Sequence, residues 1–135
     1  VLKNLNKQSF EEMWSLRECF KDSFIIVVVY KDSTPIAARA LVHFGKIAYD
    51  MLAGTSMLGR KMYASYAALF ELMVWCQNNK LIHYDLSGVN RVTSPGVYNY
   101  KIGTGGQVIS FVGEMESTDN KLLSIIWTTL SKYLR

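Results

Sequence analysis

The chain has 135 residues, half of them hydrophobic, with 3 Trp, 8 Tyr and 6 Phe. That amount of apolar surface excludes a disordered segment, and the length fits one domain rather than two. The formal net charge of +4 comes from 15 basic and 11 acidic residues spread along the chain, a mild attraction for anions that otherwise serves solubility.

Ser9, followed three residues later by Glu12, forms a capping box ahead of Met13, Leu16, Cys19 and Phe20 at helical spacing, so a short amphipathic helix is expected over 10–21. Residues 24–30 (Phe-Ile-Ile-Val-Val-Val-Tyr) are apolar and β-branched on both faces, the pattern of a buried central strand. Lys31-Asp32-Ser33-Thr34-Pro35 reads as a turn. Strands over 36–44 and 47–53 follow, joined at Gly45-Lys46, and the three strands form an antiparallel meander. Residues 60–79 contain neither Gly nor Pro and predict one long helix, stopped at Asn78-Asn79-Lys80. A strand over 81–86 completes a βαβ-like crossover and pairs in parallel. A short helix with Pro95 in its first turn, a strand over 107–113 and a final helix capped by Thr118 or Asp119 and running to 134 close the chain. The fold class is α/β (α+β), a mixed and largely antiparallel sheet flanked by helices.

No run approaches the ~20 apolar residues of a membrane-spanning helix. Cys19 and Cys76 lie in helical patterns without metal-ligand spacing, so both read as buried reduced thiols and point to a cytoplasmic protein. His43 and His83 have no Cys or carboxylate at ligand spacing and read as structural, and no metal is expected. There is no nucleophile elbow, P-loop or zinc-binding set. The first residue is Val, from which a partial chain is expected.

The densest group of candidate functional residues runs from 84 to 106. Asp85 and Ser87 stand at the carboxyl end of a strand, where ligands collect in open α/β sheets. Asp85 is either a general base, a group that orients a partner, or a strand-end carboxylate accepting backbone N–H bonds. Gly103, Gly105 and Gly106 either allow close approach of a ligand or make a helix-to-strand turn. Tyr49 and Asp50 face opposite ways on their strand; one of them faces the cleft. Arg60 and Lys61 open the long helix, where basic residues at an N-terminus hold phosphate or remain a solvated first turn.

Tyr84-Asp85-Leu86-Ser87-Gly88, then Tyr100-Lys101-Ile102-Gly103-Thr104-Gly105-Gly106, then Val112-Gly113-Glu114 resemble the C-terminal signature of FemAB-like acyltransferases of the GNAT superfamily. That pattern reads Tyr-Asp-Phe-x-Gly, a loop, Gly-x-x-x-Phe-Lys-x-x-Phe-Gly-Gly and a closing strand. Tyr100 stands where the family has Phe, and Thr104 where Phe precedes the glycine pair. The resemblance covers nearly the whole chain and implies a single GNAT-like domain over 1–135, the second lobe of a two-lobed protein whose N-terminal lobe is missing here. It implies N-acyl or aminoacyl transfer to an amine such as a cell-wall precursor or an amino sugar. The donor is aminoacyl-tRNA or acyl-CoA, with no tightly bound cofactor. Lys101 matches the lysine that stabilises charge near the transferred group. Tyr100, Tyr49, Arg60, Ser87, Gly105 and Gly106 are the candidate substrate contacts, with Lys101 and Asp85 catalytic. The coenzyme A pyrophosphate cradle of GNAT enzymes reads Arg/Gln-x-x-Gly-x-Gly/Ala. Residues 55–61 offer only Gly59, immediately before Arg60, which counts against an ordinary acetyl-CoA enzyme. The competing expectation is a non-catalytic GNAT-like module that binds a glycan, peptide or RNA.

Overall fold

The computed structural model describes residues 10–112. Helix α1 (Phe10–Phe20) leads through a 3-10 turn into strands β1 (Phe24–Lys31), β2 (Thr34–Phe44) and β3 (Ile47–Thr55). Helices α2 (Met57–Lys61) and α3 (Ala64–Asn78), strand β4 (His83–Asp85) and helix α4 (Pro95–Gly103) follow. The sheet order is β1-β2-β3-β4. The first two pairs are antiparallel, and β4 lies parallel to β3. The expected meander, parallel crossover and mixed sheet are therefore present.

Local chemistry explains the connections. Asp32 and Ser33 both take positive φ, 48° and 67°, as a two-residue type I′ hairpin requires. Gly45 alone has positive φ in the second hairpin, the φ pattern of a type II′ turn. Helix α3 ends in a Schellman motif. Lys80 is left-handed at φ 58°, its N–H reaches the Gln77 carbonyl, and the Leu81 N–H reaches the Cys76 carbonyl.

The core has a layer on each face of the sheet. Leu41 and Ala48 pack against Leu72 and Cys76 of α3, with Ile25, Val27, Trp75, Leu81 and Tyr84 around them. On the other face, Phe24, Ala40 and Val42 meet Leu16 and Phe20 of α1. A bulge past Asp50 changes which face the later β3 residues take. Ala40 pairs with Leu52 but Leu41 with Asp50, so Met51 is an extra residue. Ala48 and Asp50 therefore face α3, while Leu52 faces α1.

Several expectations are corrected. The single helix over 60–79 is two helices, because Tyr63 takes a left-handed φ of 55° between them. Arg60 and Lys61 thus close the five-residue α2 rather than open a long helix. The strand over 81–86 shrinks to three residues, and 107–112 forms no strand. Strand β1 is an edge among the described residues. Its Ile26, Val28 and Tyr30 are exposed, because α1 covers only the Phe24 end, and the strands flanked on both sides are β2 and β3. Cys19 is exposed and only Cys76 is buried, since Leu16 and Phe20 are the α1 side chains that reach the core. Ser94 caps α4 without a side-chain hydrogen bond. The expected capping serine Ser9 and the final helix lie outside the described residues. No helix among the described residues is long and apolar enough to cross a membrane.

Gly59 holds α2 against β2. A Cβ there would run into the Ile36 carbonyl, the same oxygen that accepts the Ser56 N–H. Neither group is the far end of a flexible side chain, so neither can give way cheaply. Gly59→Ala is expected to destabilise the protein by about 1–3 kcal/mol, read as a lower urea midpoint at unchanged slope.

Candidate active site

A charged residue in the middle of an otherwise apolar strand needs a partner. Arg39, 3% exposed, is such a residue on β2, and its partner is Asp50 on β3. Nε donates to Oδ1 and Nη2 to Oδ2, each at 2.7 Å. This fork-to-fork geometry is the strongest form of the pair. Further hydrogen bonds surround the pair. The Arg39 Nη1 donates to the Tyr100 hydroxyl at 3.0 Å, which donates to the Ser65 carbonyl at 3.1 Å. The Tyr84 hydroxyl donates to Asp50 Oδ1 at 3.2 Å. The guanidinium also lies 5.2 Å from the Tyr100 ring centroid, within cation–π range. The Tyr66 ring follows at 4.5 Å.

The cluster sits where β3 and β4 part. Their parallel register ends at Tyr49 and Asp85, while β3 continues to Thr55. Past that point the chain turns at Ser87, whose φ is 64°. The Ser87 N–H donates to Asp85 Oδ1 at 2.7 Å and its Oγ donates to the Asp50 carbonyl at 2.6 Å. Lys101, on α4, reaches across to this loop. Its Nζ donates to the carbonyls of Gly88 at 2.8 Å and Ser87 at 3.3 Å. Loss of water contact pulls the Lys101 ammonium below the usual lysine range, helped by Arg39 and opposed by Asp50 and Asp85.

The structure brings together Lys101, Ser87, Asp85 and Tyr100. Asp85 accepts a backbone N–H in an Asx-type turn and is otherwise exposed. Gly105 has φ 82° and bonds back to the Ile102 carbonyl, ending α4 as a left-handed cap. A Cβ at Gly106 would touch Leu86. Two candidates lie elsewhere. Tyr49 pairs with Val42 on the α1 face, its ring 6.2 Å from Phe44, and Asp50 is the member of that pair in the cleft. Arg60 is exposed in the last turn of α2, where the helix dipole is negative, so the helix N-terminus argument for phosphate does not apply. His43 packs beside Trp75, ring centroids 5.5 Å apart. Among the described residues no group of three His, Cys, Asp or Glu could hold a metal ion.

Sequence reasoning passed over Arg39 and Ser65. The signal for Arg39 was available: a single charge inside Ile36-Ala37-Ala38-Arg39-Ala40-Leu41-Val42. Ser65, whose hydroxyl accepts from Arg39 at 3.5 Å and whose carbonyl accepts from Tyr100, carried none, since nothing near it in sequence marks those partners.

Solved structures with the same architecture define the class. One is an aminoglycoside acetyltransferase from an uncultured soil metagenomic sample, in complex with sisomicin (TM-score 0.64, 9% identity, covering 88% of this chain and 80% of that one). Another is an aminoglycoside N-acetyltransferase in complex with CoA (TM-score 0.61, 8% identity, 80% and 87% covered). A third is glucosamine-6-phosphate N-acetyltransferase from Arabidopsis thaliana (TM-score 0.56, 14% identity, 83% and 82% covered). The domain thus has the GNAT-like acyltransferase fold. Within that class the chain belongs to the FemAB family, whose model matches residues 6–132. None of the curated proteins matches the sequence.

Breaking a buried ion pair from one side leaves the other charge unpaired, which costs about 3–5 kcal/mol. Arg39→Met and Asp50→Asn are each expected to lose that much, and Arg39→Met with Asp50→Leu to lose less than either, in a urea-denaturation cycle. Tyr84 supplies a pH test. Burial, then the charge of Asp50, pushes its phenol well above the usual range, against the pull of Arg39. An unfolded tyrosine gives up its proton near pH ~10, and the folded one does so later. The stabilisation is therefore complete below pH ~10 and is lost as pH rises beyond it. Over that alkaline range the stability of Tyr84→Phe should fall less steeply than that of the wild type.

Proposed function

We propose that this domain transfers an acyl group, in the form of an aminoacyl group, to an amine acceptor, and that Lys101 stabilises the charge that develops on the acyl oxygen. The observation that carries this reading is the placement of the Lys101 ammonium. It is held by the Ser87 and Gly88 carbonyls at the mouth of the gap between β3 and β4. An ammonium has three N–H donors. Two are taken by carbonyls, and the third is left for an oxyanion. A fixed cation in partly desolvated surroundings needs little reorganisation when that charge appears.

The acceptor amine attacks the acyl carbonyl carbon directly. A new C–N bond forms, the leaving oxygen or sulfur of the donor departs with the electron pair, and the amine gives up a proton. Asp85, an exposed carboxylate at the end of β4, orients the amine and takes that proton. No covalent enzyme intermediate is needed. Membership of the FemAB family favours aminoacyl-tRNA as donor. The packing of Gly59 against the Ile36 carbonyl also weighs against acyl-CoA, because the only glycine near Arg60 is committed to the fold. A cell-wall precursor peptide or an amino sugar is the acceptor, and the domain acts in the cytoplasm as the second lobe of a longer chain.

The test mixes the domain, and separately the longer parent protein, with charged tRNAs and acyl-CoAs, and follows the mass added to amine acceptors. Lys101→Ala is expected to lose about 100- to 1,000-fold in rate with its folded structure kept. Absence of transfer by either protein with every donor would overturn the reading in favour of a binding module.

A further inference from the structure

Helix α4 carries Lys101 but contributes no buried residue, and its N-cap Ser94 makes no side-chain bond. Its position therefore depends on a few side-chain anchors. The main one is the residue before Lys101. The Tyr100 hydroxyl accepts from Arg39 at 3.0 Å and donates to the Ser65 carbonyl at 3.1 Å, and the ring rests between the guanidinium and Tyr66. Arg39 cannot swing, because Asp50 grips it at two points. The far end of Lys101 refers to the same ion pair. Its carbonyl acceptor Ser87 is tied by Oγ to the Asp50 main chain at 2.6 Å.

We propose that Arg39 is a positioning residue, acting through the Tyr100 hydroxyl to fix the Lys101 ammonium at the mouth of the cleft. The strut runs from β2 to α4 and ends one residue from the group it holds. The hydroxyl is its removable link. The family pattern has Phe at this place, so Tyr100→Phe keeps the ring and its contact with Tyr66 while cutting both hydrogen bonds. The inference rests on the reading of Lys101 as the charge-stabilising group, but the strut itself is measurable without any transfer reaction.

The charged groups that act on Lys101 are Arg39 on β2, Asp50 on β3 and Asp85 on β4. Release of α4 would let the ammonium move back into water and away from them. The experiment is competitive acetylation of the intact chain across a pH series, with each lysine followed by mass spectrometry. In the wild type, Lys101 should titrate below the usual lysine range. In Tyr100→Phe, the Lys101 curve should move up toward that range. Should Tyr100→Phe fail to fold, Arg39→Met with Asp50→Leu removes the strut from its other end; because it also deletes charges that act on Lys101 directly, it is read by faster amide hydrogen exchange across α4, not by the Lys101 curve. Where transfer is measured, kcat of Tyr100→Phe should fall about 10- to 100-fold with little change in KM, as for a slightly misplaced group. A Lys101 curve that stays put in folded Tyr100→Phe, or unchanged α4 exchange in the folded double variant, would overturn the strut. Transfer that is absent from the wild type would overturn the functional reading and leave the labelling result to decide the strut.

Discussion

The ion pair between Arg39 and Asp50 is the constraint around which the rest of the molecule is arranged. Each side chain loses almost all contact with water, and such a loss costs several kcal/mol per ion. The opposing attraction is large only because the geometry is bidentate and because tyrosine hydroxyls and a main-chain carbonyl complete the hydrogen bonding. An apolar pair of equal volume would stabilise the sheet about as well. What an apolar pair could not supply is a rigid, oriented set of charges beneath the gap where two parallel strands separate.

That arrangement links fold to chemistry. The antiparallel meander fixes β2 and β3 so that a cation and an anion meet on the face toward α3. The crossover through α3 brings β4 alongside for only three residues, after which the chain leaves the sheet. The gap so created is lined by polar groups held from below, and the proposed polarisation of a transferred group there would need little movement of the protein.

Much of this was legible in the sequence because it is encoded locally. Apolar runs punctuated by Asp32-Ser33 and Gly45 specify the meander, and the stretch from Tyr84 to Gly106 carries the site motifs. What escaped was encoded by juxtaposition. Tyr63 looks like any helical tyrosine, and nothing near it in sequence announces a left-handed backbone. The choice between Tyr49 and Asp50 depended on which face of the sheet α3 covers, which alternation alone cannot reveal. The apolar runs at 24–30 and 107–113 both read as strands, yet burial on both faces and pairing depend on neighbours that a linear pattern does not contain. Arg39 was visible as an anomaly, but its partner lies on another strand.

The Met51 bulge gives this domain an uneven tolerance to change. Met51 is a spacer whose side chain is exposed, so its identity is of little consequence to the core. Its backbone is another matter. Removing that one residue would return β3 to strict alternation, and either Ala48 and Asp50 or Leu52 would then point to the wrong side of the sheet. The polar cluster is thus specified by the length of β3 as much as by the residues it contains. Substitution can explore this strand freely at position 51, whereas a shift in the count of residues dismantles the site.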